Sequence, residues 1–275
     1  MREKKTPSLQ LSPTLVSMVL NGKARKYRIS EEVEQKVRER AREMGYQPNR
    51  LARGLRTGRT RTIGLILGDI SNPFFSRMAR SLECEATKYD YQIMFGSSDE
   101  STLKLGKLTQ LFISKQVDGL IIAPTKNSEK VVKYILDMKI PLVLIDRIVK
   151  DLPVNYVQID NENAAYQLTM HILDKGFHRI AYITVSHELS NFQERYIGFR
   201  KALGERNISF DDSLVMQVAF DNFQDSVQEA VYTLLDMNID AIFCASNRVG
   251  TQVLITLRER NVNLSNRFTV VSFDN

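Results

Sequence analysis

At 275 residues, with 43% apolar and 25% charged side chains, the chain has the make-up of a globular protein with room for more than one domain. No apolar run approaches membrane-spanning length, and two cysteines placed 160 positions apart exclude a disulfide framework or a cysteine-ligated metal. The net charge of +6 is unevenly placed: residues 1–62 carry 16 Lys+Arg against 6 Asp+Glu, residues 63–275 carry 22 against 26. A basic head on a mildly acidic body points to a polyanion-binding module joined to a domain with another task.

In chain order, MREKK is basic but is followed by TPSLQLSPT, where a secretory signal would need an apolar core, so a cytoplasmic protein is expected. In LSPTLVSMVLNGK, Ser12 is placed to cap a helix, Pro13 suits its first turn, and Leu15, Val16, Val19 and Leu20 form an apolar stripe. The stretch fits a short core helix or one lying in a DNA groove, and these residues alone leave both open. A basic loop follows, with Lys23, Arg25, Lys26 and Arg28, which reads as phosphate-contacting or as a solvated charge run. Ser30 is then expected to cap a helix whose Val33, Val37, Ala41 and Met44 share a face, with Gly45 ending it. YQPNRLARGLRTGRTRT, with five arginines, predicts a short helix running into a linker.

From Thr62 the texture changes. TIGLILGD, YQIMFGSS, VDGLIIAP, PLVLIDR and VNYVQID are short apolar runs separated by helix-length segments, and RIAYITV, IDAIFCAS and FTVVSFDN form a second series. Near-continuous apolar strands alternating with amphipathic helices predict parallel sheets covered on both faces, here two α/β lobes dividing near Asp160 with a cleft at the carboxyl ends of their strands. Cys84 and Cys244 fall in apolar-rich segments and read as buried thiols. His171, His178 and His187 have neither metal spacing nor a nearby nucleophile, so no enzyme chemistry is expected.

SPTLVSMVLNGK, GYQPNRLARGLRTGRTRTIGLILGDISNPFF, VDGLIIAP, GFHRIAYI, RYIGFRKAL and VVSFDN follow one another in the order of the LacI/GalR family of bacterial transcription regulators, which the chain resembles from Ser12 to Asn275. The resemblance implies an α/β architecture with a small all-α helix-turn-helix head over 1–46, its first helix missing or degenerate, and a hinge helix and linker over 47–61. A two-lobed core like the type I periplasmic binding proteins would follow, with lobes over 62–159 and 160–275, the second incomplete. It further implies a homodimer that reads double-stranded operator DNA, as a repressor, and answers a small effector such as a sugar or sugar derivative; it implies neither a cofactor nor a membrane partner.

By that resemblance the stretch at 11–23 becomes a recognition helix. Pro13, Thr14 and Met18 would face bases, Met18 offering only apolar contact, for example to a thymine methyl; Ser17 and Asn21 would contact the backbone, with Lys23 and Arg25 on phosphates. Leu55 matches the family's minor-groove wedge, surrounded by Asn49, Arg50, Arg53 and Arg56. In the cleft, Asp69, Phe74 or Phe75, Asp146, Arg195, Phe220 and Asp274 would meet the effector, Arg195 and Asp274 as the pair that holds its polar groups. Ser246 and Asn247 stand where the family usually has Asn-Asp, which bears on effector identity. Against the family pattern both ends read as shortened, so Leu15, Val16, Val19 and Leu20 are expected to be poorly covered and the sheet to end raw after FTVVSFDN. The competing readings are a solute-binding module that does not touch DNA, an enzyme on the same scaffold, and an inactive relative.

Overall fold

The computed structural model describes residues 12–20, 22–46, 58–185, 188–262, 264 and 268–274. The chain divides into two compact units, Met1–Thr60 and Arg61–Asn275.

The first unit contains α1 (Pro13–Leu20) and α2 (Glu31–Glu43). Ser12 Oγ accepts from the Leu15 amide at 3.3 Å, the expected cap. Ser30 sits at the N-cap of α2 in extended backbone, but its side chain makes no capping bond, so Glu31, Glu32 and Glu34 carry the favourable first-turn electrostatics instead. Both helices end on glycines with positive φ, Gly22 and Gly45; in each case the residue after the glycine donates back to a carbonyl five positions earlier, Lys23 to Met18 and Tyr46 to Ala41. The small core is Val19, Ala24 and Val37, with Leu15, Val16, Leu20, Ile29 and Val33 half-buried around it. Val19 is fully covered, contrary to the expectation of a bare stripe. Met44 leaves the expected face and is 71% exposed, because it is the C-cap of α2, beyond the helix's last turn and next to the positive-φ Gly45.

In the second unit every apolar run becomes a strand. The order is β1 (Thr62–Leu67), α3 (Pro73–Lys88), β2 (Gln92–Ser97), α4 (Thr102–Ser114), β3 (Gly119–Ile122), α5 (Glu129–Asp137), β4 (Leu142–Ile145) and β5 (Asn155–Val157). Then come α6 (Asn161–Asp174), β6 (Ile180–Thr184), α7 (Ser190–Glu205), β7 (Val215–Gln217), α8 (Phe223–Leu235), β8 (Ala241–Cys244), α9 (Asn247–Glu259) and β9 (Thr269–Ser272). The sheets are all parallel, ordered β2-β1-β3-β4-β5 and β7-β6-β8-β9. Strand order reverses between β1 and β3 and again between β6 and β8, which opens a crevice beyond those strand ends.

The first sheet buries Leu65 and Leu67 against Phe75 and Ala79 of α3, and Ile66, Leu120, Ile122 and Leu144 against Leu105, Phe112, Val132 and Ile135 of α4 and α5. The second is centred on aromatic rings: Tyr182 stacks on Phe243 at 5.2 Å and lies 5.0 Å from Phe199. α6 and α7 cross at Gly198, where an added Cβ would press far inside van der Waals contact with the Glu162 carbonyl oxygen and lie 2.9 Å from the Tyr166 amide. Cys244 is buried in β8 as expected, whereas Cys84 lies on the solvent face of α3. No helix among the described residues is long and apolar enough to cross a membrane.

Candidate functional site

In the first unit, Pro13, Thr14 and Ser17 are exposed on α1, with Met18 half-buried beneath them. Arg25, Lys26 and Arg28 are exposed on the following loop and Lys23 is half-buried. This small surface presents short polar groups beside cations and carries no acid between Ser12 and Ser30. Asn21, Asn49, Arg50, Arg53, Leu55 and Arg56 lie outside the described residues.

In the second unit the strand-end loops of both sheets meet. Short polar caps start several of the helices that follow: Asn72 for α3, Ser101 for α4, Asp160 for α6 and Ser246 for α9 each accept from a backbone amide two or three residues on. Ser246 is thereby buried as a cap, its Oγ taking the Val249 N–H at 3.4 Å.

Asp146 and Asp274 each follow the last residues of a strand, with φ of 66° and 62°. This left-handed turn is tolerated by aspartate better than by most residues and swings the carboxylate out of the strand line. Asp146 is nearly buried, ion-paired with Arg147 Nε at 3.3 Å, and accepts from Asn191 Nδ2 of α7 at 3.0 Å. Burial pushes its pKa up and outweighs the opposing pull of Arg147 and Arg195.

Arg195, on the inner face of α7, is buried. Its Nε donates to Asn161 Oδ1 at 2.9 Å and Nη1 to the Ala245 carbonyl at 2.6 Å, while its guanidinium lies 4.0 Å from the centre of the Phe273 ring. Asp274 is the partner expected for it, but the closest approach is 3.9 Å, an ion pair without a hydrogen bond. Burial pulls the Arg195 pKa down, against the pull of Asp274 and Asp146. Asn161 Nδ2 in turn donates to Glu194 Oε2 at 3.1 Å, which orients its oxygen toward Arg195.

Asp69, half-buried after β1, is held by Ser71, whose N–H and Oγ donate to Oδ1 at 2.9 and 2.6 Å. Phe74 is half-buried, but Phe75 is a core side chain under β1, because the Asn72–Pro73 start of α3 turns position 75 inward. Phe220 and Arg248 line a cavity of about 430 Å³ with Asn222, Phe223 and Gln252. Asn247 Nδ2 donates to Asn72 Oδ1 across the lobes at 3.3 Å.

Four residues that sequence reasoning missed belong to this constellation. Arg147 is buried, donates to both Glu100 oxygens at 2.6 and 2.8 Å and to the Pro124 carbonyl at 3.0 Å, and so ties the ends of β2, β3 and β4 together. Asn161 and Asn191 begin α6 and α7. Arg248 begins α9 and ion-pairs with Asp69 at 3.5 Å. An arginine directly after the strand-end Asp146 was the one available signal, since a cation there must find an acid or face solvent.

A periplasmic binding protein domain family matches residues 63–275. The chain is 32% identical over 268 residues to catabolite control protein A of Priestia megaterium, covering 96% of this chain and 79% of that protein. It is 32% identical over 269 residues to the HTH-type transcriptional regulator DegA of Bacillus subtilis (strain 168), covering 96% of this chain and 78% of that one. The crystal structure of transcription regulator CcpA of Lactococcus lactis superposes with a TM-score of 0.71 at 30% identity, over 78% of each chain.

Proposed function

Because the chain belongs to the LacI family of transcription regulators, we propose that it binds double-stranded operator DNA through its head and takes a small polar effector, a sugar or sugar derivative, at the strand ends of its core. The head spans 1–46 and the hinge and linker 47–61, the lobes span 62–159 and 160–275, and the working unit is a cytoplasmic homodimer acting as a repressor.

The observation that carries the effector reading is the environment of Arg195. A buried guanidinium is costly unless its charge is met by hydrogen-bonded acceptors. Here the bonded acceptors are two neutral oxygens, and the nearby carboxylate of Asp274 stands off at 3.9 Å. Donor and acceptor are thus held side by side without consuming each other, an arrangement suited to vicinal hydroxyls, which both donate and accept hydrogen bonds. Asp69, Asp146, Phe74, Phe220 and Asn247 extend the same set around the strand ends. On the head, the exposed Thr14 and Ser17 beside Arg25, Lys26 and Arg28 support groove and phosphate contacts.

The test is a duplex selected from a randomised pool by the full chain, followed by a panel of sugars and sugar derivatives. Operator affinity should fall steeply with salt. Arg195→Ala should abolish the effector response while leaving salt-dependent operator binding unchanged, because it removes the differential affinity between core states rather than a DNA contact. A mutant responding at the same effector concentration would exclude Arg195 from the site.

A further inference from the structure

We propose that Arg248 is a latch that fastens the two lobes of the core to each other through Asp69 before any effector is bound. Its Nη1 lies 3.5 Å from Asp69 Oδ2, and the neighbouring Asn247 donates to Asn72 at 3.3 Å. Both contacts run from the first turn of α9 to the loop between β1 and α3, so they join the strand-order reversal of one sheet to that of the other.

Most ion pairs at this degree of exposure contribute little, because two long side chains must be ordered to form them. Here both partners are already set. The Arg248 guanidinium lies 4.2 Å from the centre of the Phe223 ring, with Phe220 on its flank at 5.9 Å, and stacking of this kind holds the planar group in place. Asp69 is fixed from the other side by Ser71, which occupies Oδ1 twice and leaves Oδ2 turned to the arginine. A second set of cross-lobe bonds lies elsewhere in the strand order, where Asn191 donates to Asp146 and the Ile148 amide donates to Ser190 Oγ at 2.8 Å. Ser190 and Asn191 are buried, whereas Arg248 lines the 430 Å³ cavity and its pair with Asp69 is partly exposed, open to competing ions and ligands. The lobes therefore part more readily at Arg248 than at Asn191; the exposed ion pair Lys126–Glu188 joins them at a separate place, the loops after β3 and β6. Only the consequence for entry, that an effector reaching Asp69 must displace Arg248, rests on the proposed effector site; the latch itself is tested without any effector.

The experiment is amide hydrogen exchange on the full, ligand-free chain at low salt and at 1 M NaCl, for the wild type and Arg248→Met. Removing the latch should speed exchange at Ile70–Asn72 and in the first turn of α9 together by about three- to fivefold, the scale of one well-ordered exposed pair. At these two segments salt should do the same to the wild type and add little in Arg248→Met, since screening acts there on the charge that the variant lacks; the Lys126–Glu188 pair remains in both proteins and responds at the loops after β3 and β6. Acceleration confined to α9, with Ile70–Asn72 unchanged, would mean that the arginine only steadies its own helix and would overturn the latch. So would an equal salt response of Ile70–Asn72 and the first turn of α9 in both proteins.

Discussion

Arg147 in the first lobe and Arg195 in the second are both almost wholly buried behind strand ends, yet the two lobes treat the charge in opposite ways. Arg147 is met by a bidentate carboxylate, Glu100, and by a carbonyl, and although burial opposes its charge these partners push its pKa up. Arg195 is met by an amide oxygen and a carbonyl, and burial pulls its pKa down. An arginine that the protein has neutralised for itself is a structural tie. One that it has solvated only with neutral oxygens keeps binding capacity for something else. On the proposed function, the same residue type at equivalent depth thus divides into scaffold and site according to whether a carboxylate reaches hydrogen-bonding distance.

The comparison breaks or holds first on stability. Arg147→Met strands the Glu100 carboxylate in a buried position and should cost about 3–5 kcal/mol of unfolding free energy. Arg195→Met loses hydrogen bonds to neutral acceptors and the looser 3.9 Å ion pair with Asp274, and should cost less, about 1–2 kcal/mol. Urea unfolding of the two variants measures both, and equal losses would erase the distinction.

A smaller effect concerns Asp146, which lies between the two arginines. Its pKa is raised in the folded protein, chiefly by burial, above the ordinary 3.8. Folding therefore favours the protonated acid, and the stabilisation it contributes is complete below pH 3.8 and disappears as pH climbs through the raised folded value. Relative to Asp146→Asn, which cannot ionise, the wild type should lose stability as pH rises across that window. Parallel urea midpoints for the two proteins from pH 3.5 to 7 would show that the arginines already neutralise the carboxylate.

The smallest effect sharpens the account of the second lobe. The Tyr182 hydroxyl is buried without a hydrogen-bond partner in the aromatic cluster between β6 and α7, and burial pushes its pKa up. Tyr182→Phe should leave the effector response intact and stabilise the chain by up to about 1 kcal/mol, a rise of roughly 2–4 °C in a thermal melt. A lower melting temperature would mean that the hydroxyl contributes to the surroundings of Arg195.

The strands were legible because a parallel strand buried on both faces has to be apolar throughout: TIGLIL, GLII, LVLI and AIFC announce themselves. β7 did not, since Val215–Gln217 is three residues long at the edge of its sheet and half-buried, too short for a periodicity. Ser12 and Ser30 precede helices alike, and only the backbone placement decides that one caps and the other does not. Cys84 misled because its apolar neighbours Leu82 and Ala86 turn toward the sheet while position 84 falls on the opposite side of the same helix. Phe75 was the same kind of ambiguity, two adjacent rings of which only one could face the strand ends. Asp146, Arg195 and Asp274 were legible through family resemblance; the partners Asn191 of Asp146 and Asn161 of Arg195, and the Glu100 that meets Arg147, were not, because each comes from 30 or more residues away and hydrogen-bond geometry leaves no mark in sequence spacing.

The crossing of α6 and α7 at Gly198 acts as a gauge block. Asn161 stands at the beginning of α6 and Arg195 one turn before Gly198 on α7, so the spacing of the two helices sets how far the guanidinium projects and which oxygen it meets. A single methyl group inserted at that crossing would wedge the helices apart and withdraw the cation from Ala245 and Asp274 without touching either. On the proposed site, deafness to the effector would then arise from a helix crossing away from the strand-end loops.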